Sequence, residues 1–185
     1  TGGSAMVNAA YSSGKPSFGV GPGNVQVIID RNVNFNDVSK KVILGRSFDN
    51  GIICSGGQSI IVHENDFDEV IDAFKSNGGY VVSDSGEKQI LKDTLFINNI
   101  MNKEVVGQSA MKIAEISGIK IPDSTKVILM EADGLGSEDV LCKEKMCPVI
   151  AIFKYSTFTE AIKIAQTNLE LEGKGHTCAI HSNDE

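Results

Sequence analysis

Residues 59–83 read SIIVHENDFDEVIDAFKSNGGYVVS, and two different periods follow one another there. Ser59–His63 is an apolar, β-branched run of the kind that fills a buried strand. From Asp66 to Asn77 the apolar residues Phe67, Val70, Ile71 and Phe74 recur at intervals of three and four, which lines one face of a helix. Gly78-Gly79 stops that helix, and Tyr80–Ser83 turns back to strand. Such a strand–helix–strand unit joins parallel strands through a crossover helix.

The same alternation extends outward in both directions. Upstream, Val25–Ile29 reads as a strand, and Asn36–Ser47 as a helix with Val38, Val42, Ile43 and Arg46 in register. Before them lie a helix over 4–13, closed by Gly14, and a glycine-rich loop, Phe18–Asn24 (FGVGPGN). Downstream, helices are predicted over 85–97, 108–117 and 157–170, with strands at Lys126–Met130, Val149–Tyr155 and Thr177–His181. The pattern predicts an α/β domain with a mainly parallel sheet covered by helices. The stretch near residues 19–24 is the candidate domain border.

The 185 residues carry 17 Lys and Arg against 24 Asp and Glu, a net charge of −7, with no basic cluster. Binding to a nucleic-acid backbone is therefore disfavoured. Apolar runs are short, the longest near Val149–Phe153, well below the length of a membrane span, and no signal stretch is seen. These features point to a soluble, cytoplasmic protein. The chain begins Thr1-Gly2-Gly3 without an initiator Met and stops soon after an apolar run, as an interior segment of a longer polypeptide would.

Cys54, Cys142, Cys147 and Cys178 have neither zinc-type spacing nor a secretory context, so free thiols and no metal site are expected. Cys54 lies in SFDNGIICSGGQ (residues 47–58), a helix-to-strand loop whose small residues leave room beside the sulfur and whose backbone N–H groups can stabilise negative charge. It is either a nucleophile or a continuation of the apolar run Ile52-Ile53. His63 and His181 end apolar strands and read as surface or strand-end residues. His176, in the loop GKGHT (173–177), is the histidine placed where function is usually carried. A Cys/His pair is equally compatible with a hydrolase or acyltransferase. Glu144, between two lysines, reads alone as a solvated loop charge.

Taken in order, TGG, SAMVNAAYSSGKP, SFGVGPGN, SFDNGIICSGGQS, EKMCPVIAIFKY and GKGHT resemble the CoA-acylating aldehyde dehydrogenases. These include the acylating succinate-semialdehyde dehydrogenases and the aldehyde dehydrogenase half of bifunctional aldehyde-alcohol dehydrogenases. The resemblance runs along the whole chain. It implies the three-layer catalytic domain of that superfamily over residues 21–185, incomplete at its C-terminus, preceded by the tail of an NAD-binding domain over residues 1–20. It implies Cys54 as the nucleophile and His176 as the second catalytic residue. Gly3, Gly21 and Glu144 would lie against NAD, with Glu144 on the nicotinamide-side ribose.

The reaction implied is the interconversion of aldehyde, CoA and NAD with acyl-CoA and NADH, through a Cys54 thiohemiacetal and thioester. The partners implied are a small aldehyde and coenzyme A, in a homo-oligomer formed through the parent chain; the segment alone would be inactive. Hydrolytic relatives carry a water-activating glutamate in Glu-Leu-Gly-Gly-Lys. Here Gly19–Gly23 stands in that place, which favours a thiol over water as the second substrate. A second departure is Gly57, where many members have Glu before the Gln of the cysteine loop. The substrates indicated are succinate semialdehyde or acetaldehyde. Arg46 and Lys15 lie near the motifs as candidate cations for a distal carboxylate, and both are expected to be solvent-exposed.

Overall fold

The computed structural model describes residues 4–19 and 21–184. Its first half comprises α1 (Ser4–Tyr11), β1 (Gln26–Ile29), α2 (Phe35–Ser47), β2 (Ser59–His63), α3 (Phe67–Ser76), β3 (Gly79–Val82) and α4 (Ser85–Leu95). There follow β4 (Phe96–Ile97), β5 (Ile100–Met101), α5 (Ala110–Ser117), β6 (Val127–Glu131), β7 (Val149–Tyr155), α6 (Phe158–Leu171) and β8 (Ala179–His181).

Six strands form one sheet in the order β3-β6-β7-β2-β1-β8, and every pairing in it is parallel. Because side chains alternate across a strand, each strand feeds two cores. Val27, Ile29, Ile60, Val62, Leu129, Ile150 and Ile152 pack with Val38, Val42 and Ile43 of α2 and Val70, Ile71 and Phe74 of α3. On the other face, Ile28, Ile61, Ile128, Met130, Val149 and Ala151 pack with Leu91 and Leu95 of α4, Ile113 of α5 and Ile164 of α6. The result is the expected α/β arrangement of helix, sheet and helix layers. Among the described residues no helix is long and apolar enough to cross a membrane.

Local signals fix the helix starts. Asn34, Asp84, Ser109 and Thr157 each accept a hydrogen bond from a backbone N–H in the first turn of the following helix, satisfying donors the helix cannot. Gly118 ends α5 in the left-handed conformation.

Most predicted boundaries shift by one or two residues, and one shift brings in a new element. The helix expected over 85–97 ends at Leu95, and the chain turns through an antiparallel hairpin, β4–β5. Asn98 and Asn99 both have positive φ, 51° and 63°, the pair of left-handed residues that a tight two-residue hairpin turn requires.

Four loops enter the sheet at one edge. Residues 21–25 lead into β1, 48–58 into β2, 143–148 into β7 and 172–178 into β8. Since these four strands are parallel neighbours, their amino-terminal loops are brought side by side.

Phe74 is fully buried, so Phe74→Ala is expected to cost about 3–5 kcal/mol in chemical denaturation, whereas truncating the exposed Ile97 to Ala should stay within about 0.5 kcal/mol. Equal losses would contradict the two-core packing.

Candidate active site

The loop between α2 and β2 is folded by three consecutive left-handed residues: Asp49 (φ 48°), Asn50 (φ 50°) and Gly51 (φ 76°). Asp and Asn are the non-glycine residues that tolerate this region best, and Asn50 Nδ2 donates to the Gly107 carbonyl at 3.0 Å. A Cβ on Gly51 would fall 2.6 Å from the Cys147 carbonyl carbon, so this turn lies flat on the segment leading into β7. The run Ile52-Ile53-Cys54 is then exposed rather than core. In this chain Cys54 therefore does not continue a buried apolar run. Cys142 and Cys147 are buried, and burial pushes both thiols up to about 11. Cys54 and Cys178 are the exposed pair.

Cys54 lies against Gly23. A side chain at residue 23 would collide with the Cys54 carbonyl oxygen and would place its Cβ 2.9 Å from the Cys54 Cβ. The Gly23 N–H donates to Glu144 Oε1 at 3.0 Å. Glu144 is partly buried, not the freely solvated charge that its lysine neighbours suggested. Its carboxyl is pushed up chiefly by burial and also by Glu172, while the Gly23 N–H, Arg46 and His176 pull it down.

Arg46 corrects an expectation. It is fully buried, with its guanidinium donating to the carbonyls of Lys145, Cys147 and Val149. The helical register already placed it with Val38, Val42 and Ile43, and the planar fork suits several acceptors at once. Lys15 is exposed, as expected. Gln58, at the other end of the cysteine loop, accepts the Lys145 N–H through Oε1 at 2.8 Å. The two residues flanking the cysteine loop therefore hold opposite sides of residue 145, next to Glu144. Lys145 is itself fully buried, donating from Nζ to the Leu141 and Lys143 carbonyls. Sequence reasoning passed over Gln58 and Lys145, because a polar residue in a loop carries no burial signal of its own.

His176 is held by Gly173 and Gly175, with φ 97° and 84°, and its backbone N–H donates to the Gly173 carbonyl at 3.0 Å. Its Nδ1 is buried without a hydrogen-bond partner. Among the described residues no hydrogen bond joins Cys54 to His176; both stand in loops at the same sheet edge, and the loop of Gly23, which leads into β1, lies between theirs in the strand order. His63 ends β2 as expected but is buried, accepting the Asn65 N–H on Nδ1 and meeting Tyr155 edge-on at 5.2 Å. Gly21 is exposed, and a side chain there would meet open space. Gly3 lies outside the described residues.

No protein-family model matches the chain. It is 50% identical over 186 residues to the acetylating succinate-semialdehyde dehydrogenase of Clostridium kluyveri, covering all of this chain and 41% of that one. Its fold superposes on an acetylating aldehyde dehydrogenase from Geobacillus thermoglucosidasius with a TM-score of 0.93 at 37% identity, over 98% of this chain and 40% of that one. A propionaldehyde dehydrogenase from Rhodopseudomonas palustris, solved with bound CoA and an acylated cysteine, gives 0.87 at 32% identity, over 100% of this chain and 41% of that one. The chain is homologous throughout to CoA-acylating aldehyde dehydrogenases and spans about two-fifths of the length of these relatives.

Two outcomes follow from this geometry. Gly23→Ala has to displace Cys54, so alkylation of Cys54 by iodoacetamide should change by at least about tenfold with the fold retained; unchanged reactivity would contradict the contact. Burial first, and Arg46 second, push the Lys145 ammonium down to about 7. In the unfolded chain that lysine keeps its proton to its ordinary value, so from about pH 7 to about pH 10 the unfolded state binds more protons and stability rises with pH, by up to about 1.4 kcal/mol per pH unit. The stability of wild type relative to Lys145→Met should therefore increase between about pH 7.5 and about pH 9.5 in urea unfolding. A flat or falling difference would contradict a lysine buried neutral.

Proposed function

We propose that this chain is the cysteine-bearing segment of an NAD-dependent, CoA-acylating aldehyde dehydrogenase. In this reading residues 1–20 are the tail of the cofactor domain and residues 21–185 most of the catalytic domain. The single observation that carries it is the exposed Cys54, whose backbone carbonyl and Cβ abut Gly23, the residue whose N–H Glu144 accepts. The R. palustris relative with CoA and an acylated cysteine supports the same chemistry.

The residues fit the nicotinamide end of NAD. Glu144 presents a carboxylate at the sheet edge that carries Cys54, and Gly21 leaves space for a ligand to approach the backbone. Bound NAD supplies hydride exchange with the carbon attached to the Cys54 sulfur. Cys54, as thiolate, adds to the aldehyde carbonyl to give a thiohemiacetal, holds the oxidised carbon as a thioester, and leaves when the CoA sulfur attacks. A thiolate suits each role because it is both a good nucleophile and a good leaving group. In this reading His176 takes the proton of the CoA thiol; its Nδ1 has no hydrogen-bond partner within the protein.

The substrate proposed is succinate semialdehyde, the aldehyde for which the C. kluyveri relative is named, with acetaldehyde the competitor. Arg46 does not serve its distal carboxylate, because the guanidinium is buried on backbone carbonyls. A hydrolase or acyltransferase without a redox step is not favoured, since the relatives are named as dehydrogenases. In the whole protein the proposed partners are the aldehyde, CoA and further copies of the parent chain, in the cytoplasm.

In the full-length parent, NADH oxidation should occur with succinyl-CoA or acetyl-CoA and fall by at least about 10³-fold in Cys54→Ala. Cys54-dependent thioester hydrolysis without NADH oxidation would replace this function with the non-redox one. His176→Ala should slow transfer of the acyl group between Cys54 and CoA by about 10²-fold and thiohemiacetal formation much less; equal losses in both would remove the assigned role.

A further inference from the structure

Asn24, which follows the glycine beneath Cys54, is completely buried. Its Nδ2 lies 2.7 Å from the Cys142 carbonyl, 3.3 Å from that of Asn168 and 3.2 Å from that of Glu172. Carbonyls only accept, so the amide group is fixed in this orientation, with two hydrogens serving three acceptors. The opposite side of the residue is held as well. Gln26 Nε2 donates to the Asn24 backbone carbonyl at 3.0 Å and to Oδ1 at 3.2 Å. Gln26 Oε1 accepts from Asn168 Nδ2 at 3.0 Å, and Asn168 Oδ1 accepts the Gly136 N–H at 3.1 Å.

Each of the three carbonyls belongs to a chain segment that leads to a chemical group. Cys142 is two residues before Glu144. Asn168 and Glu172 close α6, after which the chain passes Gly173 to reach His176. A Cβ on Gly173 would fall 2.8 Å from the Asn24 Cβ and 2.9 Å from its backbone nitrogen, so the histidine loop rests directly on Asn24. Glu172 adds a cross-link of its own, accepting the Glu144 backbone N–H at 2.9 Å. Gly23 completes the set by touching Cys54.

We propose that Asn24 is the positioning residue that sets the separation between Cys54 and the His176 loop, and through it the transfer of the acyl group between Cys54 and CoA. This rests on the proposed function. Asn24 touches neither substrate nor the reacting atoms; it fixes the backbone on which they stand. Serine is too short to reach three carbonyls, and aspartate would turn an acceptor toward them.

The test uses the full-length parent with Asn24→Ser and Asn24→Asp, and Ile113→Ala in α5 as a remote destabilised control. Acylation of Cys54 by acyl-CoA is followed by rapid-quench intact mass, and alkylation by iodoacetamide reports the reach of the thiol itself. Acyl transfer is expected to slow by about 10²-fold in both Asn24 variants while alkylation stays within about threefold, and the control should keep both rates. Parallel loss of both rates with the folded fraction, or acyl transfer at the wild-type rate, would overturn the proposal. If wild type itself forms no acyl adduct, the proposed function fails, and Asn24 is judged by hydrogen exchange. Joint loss of protection over 54–58 and 172–177 in Asn24→Ser supports the positioning role; retained protection in either segment overturns it.

Discussion

The backbone of residue 23 lies so close to Cys54 that no side chain fits between them, and the rest of the site is arranged around that contact. The same residue's N–H holds the Glu144 carboxyl, so the Cys54 backbone and Glu144 meet on the two sides of one peptide unit. The parallel sheet makes this possible. Because β7, β2, β1 and β8 are neighbours running the same way, the loops that precede them must meet at a common edge. That edge is the amino-terminal one, opposite to the carboxyl-terminal crevice where open α/β sheets generally bind ligands. The chemistry depends on loop entries into strands, and each entry is fixed by the strand register behind it.

Loop entries buried to this degree carry backbone groups that water does not reach, and these have to be satisfied from within. Arg46 and Gln58 do this for residue 145, and their location at the two ends of the cysteine loop ties that loop to the Glu144 segment. The arrangement places two basic side chains, Arg46 and Lys145, in a nearly dry environment; burial pushes the first down to about 10 and the second to about 7. Their donors are directed at carbonyls, not at carboxylates. The same dryness separates the cysteines: Cys142 and Cys147 are held as inert thiols, whereas Cys54 stands open.

The α/β architecture was legible in the alternation of two periods, since Ile60 and Ile61, or Val27 and Ile28, have to face opposite layers once a strand is buried on both sides. Helix positions were legible to within about two residues from apolar periodicity, whereas the capping side chains of Asn34, Asp84, Ser109 and Thr157 emerged only from the structure. The hairpin at Phe96–Met101 was not legible, because two residues per strand are too few to show a period. At the site, the motifs around Cys54, Glu144 and His176 carried the resemblance, but spacing alone left Cys54 undecided. Its exposure, and the burial of Arg46 and His63, are tertiary outcomes. Arg46 in particular sat in the apolar register of α2, and only the loop carbonyls packed above it explain why a charge is kept there.

The central claim is that Cys54 is the atom that carries the acyl group. It is tested most directly by incubating the full-length protein with an acyl-CoA in the absence of NADH, followed by intact mass and peptide mapping. The account predicts one acyl adduct per chain, on Cys54, discharged when free CoA is added. An adduct mapped to Cys178 or another residue, or none at all under conditions where NADH oxidation proceeds, would contradict it.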